Sequence, residues 1–220
     1  MKTKNILILI CTLLLVFTFC FSASADEEIV INKTNINEII SAAQKGDPAA
    51  IETLKKSDMF DRDKVNKALQ GIVFSSNDPE KTIVFDDGSY ITVKLSSERA
   101  FNKIVNGNIS GNVTPNAIIY DNTGTLTVEY AGNIVKYTIT CNWRIYDGYN
   151  SVTYNWSRDS AWSLKPLFWA EALGTKPLQT NGSKVVVKGT VHYWGSTGEG
   201  WDSYLFTGYP DASCTMELCN

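Results

Sequence analysis

Hydrophobic and polar positions follow two different periods along this chain. Between residues 34 and 74, apolar residues recur every three to four positions, as they do on one face of an amphipathic helix. Asp47 with Pro48, and later Asp61, are residues typical of helix N-termini. The segment 26–78 is therefore predicted to form short helices, which need another element to pack against because short helices are unstable alone.

After Pro79 the period becomes two, which is typical of strands with one buried face. Two β-rich runs flank Asp87-Gly88 and predict a hairpin. Three alternating runs then follow between residues 125 and 156, with connections too short to join parallel strands. The alternation places Trp143 and Trp156 on the buried faces of this antiparallel meander.

The C-terminal part contains two further alternating runs. In the first, Val191 and Tyr193 are predicted to point inward, whereas His192 and Trp194 point outward. The stretch from residue 162 to 173 is apolar but contains Pro166, so no element is assigned to it. The predicted fold is mainly β: an antiparallel β-sandwich, either Ig-like or barrel-like, over residues 79–220, with a loop or linker at 106–116.

Two cysteines in this region are predicted to form a disulfide. Alternation places Cys141 and Cys214 on inward faces, so the two thiols can meet between sheets; packing as free thiols is the alternative. The order Cys141, Trp156, Cys214 resembles the cysteine, tryptophan, cysteine order of immunoglobulin-like domains. Ala212 stands where those domains have a tyrosine, so the resemblance implies a sandwich architecture only.

Residues 1–25 have the features of a secretory signal peptide. Lys2 and Lys4 precede an apolar run, and Ala23-Ser24-Ala25 is a small-residue cleavage site. The segment predicts a secreted, extracellular protein without a stable membrane anchor. The formal net charge of −3 becomes more negative when the two lysines are removed, which disfavours nucleic acid as a partner.

Candidate catalytic chemistry is sparse. The single histidine, His192, lies on a strand without a nucleophile motif nearby, and the Cys and His spacing of a zinc site is absent. We therefore expect no cofactor and no metal. Glu199 and Asp202 lie close in sequence beside Trp201 and make a glycoside hydrolase a minor alternative.

The six tryptophans all lie between residues 143 and 201. Aromatic rings on a rigid sheet can stack on sugar rings while neighbouring polar groups form hydrogen bonds. The predicted ligand-binding residues are His192, Trp194, Trp201, Asp202 and Tyr204. The sequence thus favours a secreted, non-catalytic module for an extracellular ligand such as a polysaccharide or cell-wall glycan. A toxin-like or antimicrobial effector is the alternative, although net acidity disfavours attack on membranes.

Overall fold

The structure is a computed structural model. It describes residues 31–32, 34–105, 108–109, 112–113, 117–131, 134–146, 150–165, 167–195 and 198–219. The predicted signal peptide, residues 1–25, lies outside the described residues. Within the predicted linker 106–116, Asn108–Ile109 pairs antiparallel with Asn112–Val113, and the other residues of the linker lie outside the described part.

Three α-helices precede the strands: α1 (Ile36–Gln44), α2 (Pro48–Lys55) and α3 (Arg62–Leu69), with a 3-10 helix at Asp58–Phe60 between the last two. The predicted N-terminal residues cap their helices. The Asp47 side chain accepts hydrogen bonds from two backbone N–H groups of α2, and Asp61 does the same for α3. Such caps satisfy N–H groups that have no partner within the helix.

Thirteen strands are present in the described part of the chain. They are β1 (Phe74–Ser75), β2 (Glu80–Val84), β3 (Tyr90–Val105), β4 (Asn108–Ile109), β5 (Asn112–Val113), β6 (Ala117–Tyr130), β7 (Val135–Tyr146), β8 (Ser151–Ser163), β9 (Phe168–Gln179), β10 (Asn181–Gly182), β11 (Val185–Gly195), β12 (Gly198–Gly208) and β13 (Cys214–Leu218). The stretch left unassigned in the sequence contains the end of β8 and the start of β9.

The strands form two main antiparallel sheets that pack on one another, one of them curved into a half-barrel. The six-stranded sheet has the order β10-β8-β7-β6-β3-β2, and the five-stranded sheet has the order β1-β13-β12-β11-β9. This architecture confirms the predicted mainly β sandwich preceded by short helices. Among the described residues, no helix has the length and apolar character needed to span a membrane.

The helices and both sheets share one hydrophobic core. Leu54 of α2 and Val65 of α3 are as buried as Trp143 of β7. Phe60 stacks on Tyr130 of β6 and on Phe168 of β9. The short helices therefore gain from the sheets the apolar contacts that helices of this length need.

The prediction for Trp156 is wrong. Trp143 is fully buried as expected, but Trp156 is 42% exposed. The pairing of β7 with β8 shifts at this point, because Trp143 lies opposite Tyr154 while Asn142 lies opposite Trp156. Asn155 is thus an extra residue, a β-bulge, and it reverses the alternation along the rest of β8. Trp156 therefore does not take the buried position that the tryptophan of an Ig-like domain has.

The two inward cysteines are present as free thiols. Cys141 and Cys214 are both fully buried, as alternation predicts, but the predicted disulfide between them is not formed in this structure. Burial raises the pKa of the Cys141 thiol to about 12 and that of Cys214 to about 11. Both thiols pack as small apolar groups, and the Sγ of Cys214 also lies 3.6 Å from the carbonyl oxygen of Ser96.

Candidate functional site

Three aromatic rings stack on the outer face of the five-stranded sheet. The imidazole of His192 lies parallel to the indole of Trp201, with ring centroids 4.5 Å apart and an interplanar angle of 4°. It also stacks on Trp194, at 4.6 Å and 28°. We call His192, Trp194 and Trp201 the ring stack.

Strand register positions these rings. His192 of β11 lies directly opposite Trp201 of β12, and Trp194 follows two residues later on the same face. The other face of β11 is held in the core by Val191 and Tyr193, so the outward orientation of His192 and Trp194 is fixed by burial of their neighbours. Trp201 nevertheless remains 43% exposed.

Gly200 lets β12 come close to the core at this point. A Cβ on Gly200 would lie 2.5 Å from the ring of Tyr193, which is far inside van der Waals contact. Tyr193 and Gly200 are partners in the β11–β12 register. The absence of a side chain at Gly200 therefore allows Tyr193 to pack against the inner side of β12, directly behind the ring stack.

Polar groups surround the ring stack on the same face. The Nε2 of His192 is 2.8 Å from Oε1 of Glu199, which is itself well exposed. Next to His192 on the other side, Glu171 of β9 is its register partner and is also exposed. One row further along, the hydroxyls of Thr190 and Ser203 are hydrogen-bonded at 2.9 Å. The surface thus combines flat apolar rings with carboxylates and hydroxyls.

Asp202 and Tyr204, the other two predicted ligand-binding residues, lie on the opposite face of β12. Both are fully buried. Neighbouring residues of a strand point to opposite faces, so Asp202 points inward where Trp201 points outward. A ligand stacked on the ring stack cannot reach either side chain, and their assignment to the same surface is corrected accordingly.

Asp202 belongs instead to a buried polar cluster. Its carboxylate accepts a hydrogen bond from the hydroxyl of Tyr130, which lies 3.1 Å from the hydroxyl of Tyr204. Asp202 Oδ1 and the hydroxyl of Tyr193 are also buried, without a well-formed hydrogen bond. Burial raises the pKa of Asp202, although the hydrogen bond from Tyr130 and the nearby charge of Arg62 oppose the shift.

The predicted hydrolase pair does not converge. Glu199 points outward to His192, whereas Asp202 points into the core, so the two carboxylates share no cavity. A glycosidase needs both carboxylates on the two sides of one bond. In the described part of the chain, no group of three or more His, Cys, Asp or Glu side chains is placed to hold a metal ion.

Sequence reasoning missed two sets of residues. Trp169 of β9 lies opposite Trp194 and extends the aromatic row, but its strand was not assigned. Trp156 and Trp162 of β8 are exposed on the outer face of the other sheet. Alternation from Trp162 back to Trp156 would have placed the two on one face, but nothing in the sequence marks the bulge that turns this face outward.

No protein-family model, no curated protein and no solved structure matches this chain.

Proposed function

We propose that this protein is a secreted, non-catalytic module that binds an extracellular polysaccharide or cell-wall glycan through the ring stack. The observation that carries the proposal is the parallel packing of His192 on Trp201, which leaves Trp201 43% exposed on a rigid sheet. Secretion rests on the signal peptide predicted for residues 1–25.

The chemistry of the surface favours a sugar. Sugar rings have an apolar face of C–H groups, which packs well on an indole, and an edge of hydroxyls, which need hydrogen-bond partners. Glu199 and Glu171 supply carboxylate acceptors on two sides of the rings, and Thr190 with Ser203 supplies hydroxyls. An anionic ligand would be repelled by the carboxylates, so the proposal commits to a neutral or amino-substituted glycan.

Rigidity supports affinity. The three rings lie on two paired strands whose other faces are buried, and the Glu199 contact fixes the imidazole. A preformed surface loses little conformational entropy when a ligand binds. Replacement of Trp201 by alanine should therefore weaken binding by roughly tenfold, the effect of losing one stacked ring.

The test is adsorption to insoluble cellulose, chitin and peptidoglycan, with titration of tryptophan fluorescence by their soluble oligosaccharides. Trp201→Ala is compared with Phe101→Ala, which removes an exposed aromatic ring outside the ring stack. We expect retention on at least one glycan, weakened by Trp201→Ala and unchanged by Phe101→Ala. Failure of the wild type to bind any of these glycans, or equal binding by both variants, would contradict the proposal.

A further inference from the structure

A second exposed aromatic surface lies on the other sheet. Trp156, Arg158 and Trp162 are spaced two and four residues apart on β8, and their register partners on β7 are polar: Asn142, Thr140 and Lys136. Trp156 is 42% and Trp162 is 50% exposed. The two indoles are separated by six residues of extended strand, or roughly 20 Å. We call Trp156, Arg158 and Trp162 the second aromatic surface.

Specific contacts hold this surface in place. The bulge at Asn155 turns Trp156 outward. The side-chain amide of Asn155 donates hydrogen bonds to Oδ1 of Asn142 at 2.7 Å and to Oδ1 of Asp121 at 3.3 Å. The guanidinium of Arg158 lies 5.5 Å from the ring centre of Trp156. Bulges commonly redirect a side chain for a purpose other than packing. Here the bulge exposes an indole that regular alternation would have buried.

The sheet beside these indoles is rich in hydroxyls. In the register, Thr140 lies opposite Arg158, and Thr125 is the next residue across the sheet; Thr138 and Thr127 form the adjacent row. The hydroxyls of Thr127 and Thr138 are 3.5 Å apart. These threonines are partly exposed, so each can exchange hydrogen bonds with a ligand that has hydroxyls of its own.

Two groups of charges near this sheet face are ion-paired. Glu129 forms ion pairs with Lys94 and Lys136, at 3.2 and 3.3 Å, and Arg144 forms one with Asp121 at 3.0 Å. The guanidinium of Arg158, which lies near the ring of Trp156, adds a positive charge to the hydroxyls and indoles of this face. A neutral, extended polysaccharide matches this chemistry better than a basic polymer, which Arg158 would repel.

We propose that the second aromatic surface is a second glycan-binding site, so that one molecule binds two polysaccharide segments and cross-links them. This rests on the proposed function, because the ring stack supplies the first site. The two surfaces lie on the outer faces of different sheets, whose inner faces pack together in the core. Two linked sites on one rigid body bind an insoluble polymer more tightly than either alone, by about 100-fold or more where both can engage.

The experiment compares wild type with Trp201→Ala, with the double variant Trp156→Ala/Trp162→Ala, with all three changes together, and with Phe101→Ala as control. Adsorption to microcrystalline cellulose, chitin and peptidoglycan is measured together with aggregation of the suspended particles by light scattering. Thermal unfolding checks that each variant is folded, and sedimentation gives its oligomeric state.

We expect wild type to aggregate the particles it adsorbs to. The double variant and Trp201→Ala should each adsorb with at least tenfold lower affinity and lose aggregation, and the triple variant should not adsorb.

A double variant that adsorbs and aggregates like wild type would overturn the second site and leave the ring stack intact. Adsorption lost in the double variant but unchanged in Trp201→Ala would instead overturn the ring stack as the first site, and cross-linking with it, and leave the second aromatic surface as the glycan site. A wild-type dimer that the double variant converts to a monomer would assign the second aromatic surface to self-association, and absence of wild-type adsorption would overturn both sites.

Discussion

The hydroxyl of Tyr130 donates a hydrogen bond to the carboxylate of Asp202 across the core. Tyr130 belongs to the six-stranded sheet and Asp202 to the five-stranded sheet, so the contact joins the two layers. Both residues are fully buried, within a core that is mainly apolar. A carboxylate in such a place disfavours its own ionised form, because burial removes the water that stabilises charge.

Replacement of Asp202 by asparagine should change how stability depends on pH. The folded-state pKa of Asp202 is raised above the ordinary value of 3.8, so its contribution to stability is full below pH 4 and is lost as pH rises through the folded pKa. An amide cannot ionise. The stability of Asp202→Asn relative to wild type should therefore increase from pH 4 towards neutral pH.

Urea unfolding of both proteins over this pH range measures the difference. Glu80→Gln, at an exposed position of β2, is the control because it replaces a carboxylate by an amide at the surface rather than in the core. Parallel stability curves for wild type and Asp202→Asn would show that the carboxylate has the same pKa folded and unfolded.

The close approach of the two sheets depends on Gly124 of β6. A Cβ there would lie 2.4 Å from the ring of Phe206 and 3.0 Å from that of Trp143. Gly124→Ala should destabilise the fold by about 1–3 kcal/mol. The energetic cost of overpacking a filled core exceeds the stabilisation that comes from a less flexible unfolded chain when a glycine is replaced. Thr125→Ala, one residue away on the outer face, should change stability by less than about 0.5 kcal/mol. Chemical denaturation measures both, and equal stability of the two variants would show that the sheets can separate to admit a methyl group.

Alternation predicts those parts of the fold where strands are regular. The inward residues of β7 and β11 follow it closely, and Trp143 is buried accordingly. The same rule applied to β12 would also have placed Asp202 and Tyr204 in the core with Phe206. Their proximity to Trp201 along the chain suggested a shared surface, but adjacent strand residues face opposite ways.

Irregular strands are where sequence reasoning fails. A single extra residue, Asn155, reverses the face of everything after it on β8, and no period in the sequence indicates a bulge. In β9 the register shifts twice against β11, which hides its alternation and with it Trp169. The ring stack was therefore predictable from sequence, whereas the second aromatic surface depends on a tertiary irregularity.

The three described cysteines should differ sharply in reactivity. Cys141 and Cys214 are fully buried, and burial raises the pKa of their thiols to about 12 and about 11, whereas Cys219 is only partly buried. The thiolate is the reactive form, so both burial and pKa protect the first two. We expect a thiol reagent to label Cys219 first in native protein, and all three cysteines in denaturant, with positions assigned by peptide mass spectrometry. A linked peptide containing Cys141 and Cys214 in non-reduced protein would contradict the free thiols and support the disulfide predicted from sequence.

Phe60 couples the helices to the sheets. Its ring centroid is 5.0 Å from that of Phe168 and 6.0 Å from that of Tyr130, with both pairs nearly parallel. Phe60→Ala should lower the free energy of unfolding by about 2–4 kcal/mol, because it removes a ring from between the 3-10 helix and both sheets. Unfolding should nevertheless remain a single transition by circular dichroism and by tryptophan fluorescence, since the helices share one core with the sheets.

Lys56→Ala, at an exposed position on the same segment, is the control and should leave stability within about 0.5 kcal/mol of wild type. If the far-UV signal of the helices were lost before the tryptophan signal, the helical segment would be a separate folding unit rather than part of the sandwich.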